Sequence, residues 1–220
     1  LDFVFTNIQW VCSEGAVVEA LRIKGLTNAI SSEQATPAAQ PAVSAQPKPA
    51  SHSTSQPTPK TYKVGDYYDD GTKQGVVFDV WDGGRHGKIV SLDQNKSKWC
   101  TNEQIVVGAD SKSNGKANTD KVMARGDANQ YTAFTWCRSK GVDWYLPAID
   151  ELKLLLLNDS VHDAVNITLA QKGGTKLSNK KLGEWYWSST EKDESGAWFV
   201  DMFDGNTKLI SKGFPNFVRA

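Results

Sequence analysis

The sequence predicts an α+β fold of mostly antiparallel sheet with two to three segregated helices, preceded by a disordered linker. Three observations carry this expectation. Six of the eight prolines fall within residues 31–60, in a run of Ala, Ser, Gln and Thr with too little apolar surface to offset its ordering entropy. Residues 61–220 hold seven of the eight tryptophans and all six tyrosines, enough large rings for a single core. Within them, β-rich runs with hairpin turns flank a central block whose apolar residues recur at helical spacing.

Three segments follow in order. Residues 1–30 alternate Phe3 and Phe5 with Val4 and Thr6, then run through "GAVVEALRIKGL". A piece of that size cannot build its own core, so it is expected to end a preceding domain or to dock as a strand and short helix. Residues 31–60 are the linker, and 61–220 the domain. The chain opens on Leu without a basic start and apolar run, the pattern of a fragment or processed chain.

In the domain, "GVVFDVW" and "HGKIVSL" flank Asp82-Gly83-Gly84, a hairpin signal because glycine takes positive φ without steric cost. Residues 94–118, rich in Asn, Ser, Lys and Gly, read as a long loop broken by "EQIVVG". Helix is expected from Thr119, then through "DANQYTAFTWCRSKG", with Asp127 as N-cap and Gly141 as left-handed C-cap. Pro147 suits the first position of a helix with Ile149, Leu152 and Leu156 on one face. "VHDAVNITLAQKGG" gives a third helix, and the C-terminal part returns to strand in "WYWSST", "AWFVDMF", "TKLI" and "NFVRA", with a turn at Asp204-Gly205.

Composition excludes several classes of function. The domain carries 21 basic and 21 acidic residues, so no field draws nucleic acid to it as a main partner. No run of 18 apolar residues is present, so no transmembrane segment is expected. Cys12, Cys100 and Cys137 have neither CxxC nor Cys/His spacing, which points away from zinc. Cys100 and Cys137 are left open as a disulfide or as reduced buried thiols.

The runs "GVVFDVWDGGRHGKIVSL", "GKANTDKV", "WCRSKGVDWYLPAIDELKLLL", "WYWSSTE", "AWFVDMFDGNT" and "FVRA" together resemble the C-terminal domain family of the Legionella collagen-like adhesin. The resemblance covers nearly all of residues 62–220 and none of 1–60. It implies a C-type-lectin-like fold in secreted or surface-attached bacterial proteins, some of which bind glycosaminoglycans or other host and matrix polymers. Similar motifs occur in formylglycine-generating enzymes and in retroelement-diversified receptor binders, so fold alone does not choose a function. The expected reading is a bacterial surface recognition or adhesion module whose partner is a glycan or a surface protein. A structural or assembly module, including a homo-oligomer, and a diversified receptor binder are the alternatives.

No cofactor and no catalytic residue is expected. "WSSTE" offers Ser188, Ser189, Thr190 and Glu191, but a serine nucleophile needs a nearby base and usually a strained elbow. His52, His86 and His162 lie in linker, strand and helix. The formylglycine chemistry needs a cysteine near the C-terminal sheet, whereas the last one, Cys137, is in a helical run. Calcium-lectin tripeptides are absent, so Asp201 and Asp204 are only weak metal candidates beside Asn206. Trp144, Trp187 and Trp198 are assigned to the core; Trp185, Tyr186 and Phe214 are the exposed ring candidates. Lys176, Lys180 and Lys181, with Lys208 and Lys212, are the candidate cluster for an anionic polymer. Glu191, Asp193 and Asn206 complete the binding set on the loops "EKDESG" and "DGNTKLISKGFPN".

One departure from the family pattern is testable. Ser or Thr is usual after the Leu-Pro, where its hydroxyl and the Glu three residues on form a capping box; here Ala148 precedes Glu151. Ala148→Ser is expected to stabilise the domain by about 1 kcal/mol, and an unchanged or lower melting midpoint would reject the cap assignment.

Overall fold

The computed structural model describes residues 2–4, 60–102, 105–179 and 182–220. The linker and most of the N-terminal piece lie outside the described residues, as do Lys180 and Lys181. Two sheets organise the described residues. β1 (Asp2–Val4), β2 (Tyr67–Asp69), β3 (Gln74–Trp81) and β4 (His86–Val90) form the first, antiparallel, in the order β1-β4-β3-β2. The second contains β5 (Asn95–Lys98), β6 (Trp185–Glu191), β7 (Gly196–Asp201), β8 (Asn206–Ser211) and β9 (Pro215–Val218), in the order β5-β9-β6-β7-β8. Its pairs are antiparallel except β6 with β9, so it is mixed. Four α-helices among the described residues lie between β5 and β6 in sequence: α1 (Gly115–Met123), α2 (Thr132–Arg138), α3 (Ile149–Leu157) and α4 (Asp159–Gln171). The α+β class with helices between the strand blocks is therefore as expected, with one more helix.

The β3–β4 hairpin turns where predicted, with Gly83 and Gly84 at φ 64 and 82. Gly84 is also sterically required, because a Cβ there would lie 2.2 Å from the Tyr62 carbonyl oxygen. Other boundaries differ. β5 replaces part of the expected loop: "NKSK" has no apolar alternation, and it becomes a strand by pairing with β9 and through the 2.8 Å Ser97 to Thr132 hydroxyl bond. α1 starts at Gly115 rather than Thr119, because the Asn114 side chain accepts the Ala117 N–H at 2.9 Å. Glycine's poor helix propensity hid that start. Asp127 does not cap α2; it takes Arg125 in a two-point ion pair at 2.7 and 2.9 Å.

Pro147 precedes the N-cap of α3, Ala148, rather than opening the helix. There the capping problem is solved from three directions. The Thr190 hydroxyl accepts the Ile149 N–H at 3.0 Å, the Lys112 carbonyl accepts that of Asp150 at 2.9 Å, and Glu151 reaches back to the Ala148 N–H at 2.7 Å. An added hydroxyl at position 148 would reach the third helical N–H, that of Glu151. Glu151 does more than cap. Nearly buried, it also accepts the Gly115 N–H at 3.0 Å and the Lys88 ammonium at 2.9 Å, so one carboxylate joins α3, α1 and β4.

The core divides along β6. Trp187 belongs to a cluster with Trp99, Tyr131, Phe134 and Phe199, whereas Tyr186 belongs to a second with Phe78, Leu152, Leu156, Val165 and Val200. Alternation along β6 thus sends successive rings into different clusters. Ile149, Leu152 and Leu156 are all buried, as their spacing predicts.

Gly115 is a tight point in the contacts around Glu151. A Cβ there would lie 2.5 Å from the Leu146 oxygen and 2.7 Å from the Glu151 carboxylate, whereas one on Gly71 would meet nothing within 4 Å. Gly115→Ala should therefore cost about 3 kcal/mol, and Gly71→Ala only the roughly 1 kcal/mol of an open positive-φ site. Equal urea midpoints for the two variants would show that the contact around Glu151 is not needed for stability.

Candidate functional site

The C-terminal loops are held by a buried ion pair. Lys212, fully buried, places its ammonium 2.6 Å from Glu191, 2.9 Å from the Ile105 carbonyl, 3.0 Å from the Glu194 carbonyl and 4.8 Å from the centre of the Trp99 ring. Glu191 in turn accepts the N–H groups of Val107 and Gly108 at 2.9 and 2.7 Å. The Lys212 backbone joins in, giving its N–H to Ser195 and accepting those of Trp99 and Cys100. Three stretches that form no ladder there, residues 105–108, 192–195 and 212–214, are thus tied to one point. Val106, Lys192 and Phe214, exposed on those stretches, are carried on a fixed base.

Beside this base the strand register lines up a mixed aromatic and polar face. Trp185 sits opposite Asp201, which sits opposite Asn206; Trp187 sits opposite Phe199, which sits opposite Lys208. Residues opposite one another in an antiparallel pair share a face. Trp187 and Phe199 are its buried floor, and Trp185, half-buried and 5.1 Å from the Phe199 ring, is its step towards solvent. Asn206 and Lys208 are exposed. Lys208 bridges Asp201 at 2.7 Å and Asp204 at 2.6 Å, and that ammonium is the main reason the Asp204 carboxyl is held below its usual range. Phe214 joins through its carbonyl, which accepts the Trp187 indole N–H at 3.1 Å. Phe203, exposed at the β7–β8 turn, donates its N–H to Asp201 at 2.9 Å.

The two strand motifs, the Leu-Pro-Glu cap and the terminal "FVRA" all fall within residues 88–220, and the family profile of the Lcl C-terminal domain matches that same range. The chain belongs to the Lcl C-terminal domain family. The match covers more than half of the chain and agrees with the resemblance read from the sequence. No curated protein matches. Among solved structures, a fimbrial protein from Bacteroides ovatus is similar at 16% identity and a TM-score of 0.49, over 61% of this chain and 35% of that one.

Within this Lcl C-terminal domain the predicted site residues separate. Trp185, Asn206, Lys208 and Phe214 belong to the sheet face just described. Asp193 is exposed on the β6–β7 turn, where its carboxylate accepts the Ser195 and Gly196 N–H groups, and these bonds hold it below the usual carboxylate range. Lys176 is exposed in the segment docked on α4 by the 2.7 Å bond from Leu177 N–H to Asn166. Lys180 and Lys181 are outside the described residues. Three expectations need correction. Tyr186 is fully buried, its hydroxyl bonded to Ser178 at 2.8 Å and Gln94 at 3.0 Å, because β6 is an inner strand covered on both faces. Glu191 and Lys212 are the buried pair, so neither presents charge to a ligand. With Lys212 buried and Lys208 matched by two carboxylates, neither adds a free ammonium to the expected lysine cluster, whose Lys180 and Lys181 lie outside the described residues. Trp198 is partly rather than fully buried, with Lys112 6.0 Å above its ring.

Hydroxyls and carboxylates here have structural partners. Ser188 donates to the Trp198 carbonyl at 2.7 Å, Ser189 accepts from Asn118 at 3.0 Å, and Thr190 donates to the Ser111 carbonyl at 2.9 Å. Asp201 and Asp204, the weak metal candidates, share Lys208 instead. Cys100 and Cys137 are free and buried, which settles that alternative for the described residues. Sequence reasoning missed Phe203 and Trp81, which are 66% and 43% exposed. Both border predicted turns, and that position was the available signal.

The ion pair generates a measurable expectation. Lys212→Met should cost about 3–5 kcal/mol by leaving Glu191 buried and unpaired. Combined with Glu191→Gln, the loss should fall short of the sum of the single losses by about 1–3 kcal/mol. Additive urea-unfolding energies would show that the two charges do not interact.

Proposed function

We propose that this domain is a non-catalytic recognition module of the bacterial cell surface, C-type-lectin-like in fold, that binds a glycan through the outer part of its five-stranded sheet. Membership of the Lcl C-terminal domain family supports a surface or adhesin-like role. The observation that carries the site is the cross-strand row Trp185–Asp201–Asn206 with Lys208 and Phe214 beside it. A half-exposed indole offers a stacking surface for a sugar ring, while the Asn206 amide and the Asp201–Lys208 pair offer donors and acceptors for hydroxyls. The buried hydroxyls of "WSST" are engaged by structural partners, which favours binding over catalysis.

The ion pairing also favours a neutral ligand over a sulfated one. Lys208 is matched by two carboxylates, so binding here should depend little on salt. On a glycan array carrying neutral and sulfated chains, retention should be stronger for neutral members and nearly constant between about 50 and 300 mM salt. Trp185→Ala should weaken it about tenfold, the equivalent of 1.4 kcal/mol. Silence across the array would transfer the site to a protein ligand, and retention of sulfated chains alone would reject the neutral-ligand reading.

A second reading, assembly, is favoured by β8. It is the outer strand of its sheet, with Leu209 46% exposed and Ile210 half-buried, and such an edge is a template for pairing with another chain. Sedimentation of the chain across a hundredfold concentration range distinguishes this from a monomeric binder.

A further inference from the structure

A cleft of about 250 Å³ opens between the β2–β3 turn, the segment following β4 and the C-terminal end of α2. It shares no residue with the sheet face. Trp144 lines it. This tryptophan is only 4% exposed, and its indole N–H has no hydrogen-bond partner among the described residues. A nearly buried indole in a cleft wall, whose N–H has no partner among the described residues, has a donor to offer a ligand.

The other walls are polar and mixed in sign. Lys140 sits 2.6 Å from both oxygens of Asp93 and 4.2 Å above the Trp136 ring, so its ammonium is fixed from two sides. Lys73 is held 2.5 Å from Asp143. Thr72 turns its hydroxyl to Asp70 at 2.7 Å, which leaves the oxygen's lone pairs as acceptors. The cleft thus offers ammonium and indole donors next to carboxylate and hydroxyl acceptors, with the charges balanced in pairs. Vicinal sugar hydroxyls, each donor and acceptor at once, match such a wall better than an anion does. The volume lies below the range of drug-sized sites and suits one ring.

We propose that this cleft binds a single pyranose residue of a neutral glycan, with the Trp144 indole N–H, the Lys140–Asp93 pair and Lys73 as its hydroxyl partners. The site is independent of the sheet face, so the module would hold its polymer at two points.

The test is a titration of the ¹⁵N-labelled chain with the methyl glycosides of glucose, galactose, N-acetylglucosamine and glucuronate, following the indole signals of Trp144 and Trp185. A neutral glycoside should shift the Trp144 signal along a saturable curve. Lys140→Met should weaken that binding about tenfold with an unchanged melting midpoint, since Asp93 and Lys140 meet at the surface. Trp144→Phe, which keeps a ring and removes the N–H, should weaken it about three- to tenfold, read from the backbone signals of Lys73 and Asp93. A Trp144 signal unmoved at about 50 mM, well above millimolar dissociation constants, overturns the proposal. So does a shift that persists undiminished in Lys140→Met, or one produced by glucuronate alone. Movement of Trp185 without Trp144 would leave the sheet face as a site and sink the cleft.

Discussion

A lysine and a glutamate buried against each other beneath the loops hold the C-terminal half of this domain in register. Burying two charges is expensive, and an apolar pair of similar volume is often as stable. Here the substitution would not be equivalent. The Lys212 ammonium answers two backbone carbonyls, those of Ile105 and Glu194, and Glu191 answers two backbone N–H groups, those of Val107 and Gly108. These groups belong to stretches without a ladder, where buried backbone must find side-chain partners. The charges meet each other because each is already needed by the loops.

Glu151 solves the same problem at a neighbouring junction, where the start of α3 bonds to β6 through Thr190 and Ser189. Its two oxygens collect N–H groups from Ala148 and Gly115, the ammonium of Lys88 and the hydroxyl of Tyr145 at 3.3 Å. Both glutamates stand where regular structure gives way to loop, one at the end of β6 and one in the first turn of α3. The rings fill volume between these points, and the polar hubs set where each element begins. Arg219 follows another pattern: fully buried, it donates to the carbonyls of Ser91 and Thr175, and burial lowers its pKa to about 10.

The elements with strong local signals were legible in the sequence. Asp82-Gly83-Gly84 and Asp204-Gly205 turn hairpins because glycine geometry is local, and Ile149, Leu152 and Leu156 face inward because helical spacing is local. β5 was not legible: its four residues carry no apolar pattern and owe their conformation to β9, far along the chain. The site was half legible. Alternation correctly separated Tyr186 from Trp185 and Trp187, yet it could not say that both faces of β6 are covered. Lys212 and Glu191 looked like surface charges because nothing in "EKDES" or "ISKGF" reports that each has a buried partner. A charged residue's burial depends on a residue at long range, and a single sequence does not display that pairing.

The two cysteines of the domain carry a consequence for where and how it can be made. Cys100 and Cys137 are both buried in the core cluster of Trp99 and Phe134, and burial raises both thiol pKa values, so neither is poised as a reactive thiolate. The fold between residues 60 and 220 therefore closes without an oxidation step. A domain held together in this way is expected to keep the same structure in reducing and in oxidising solution.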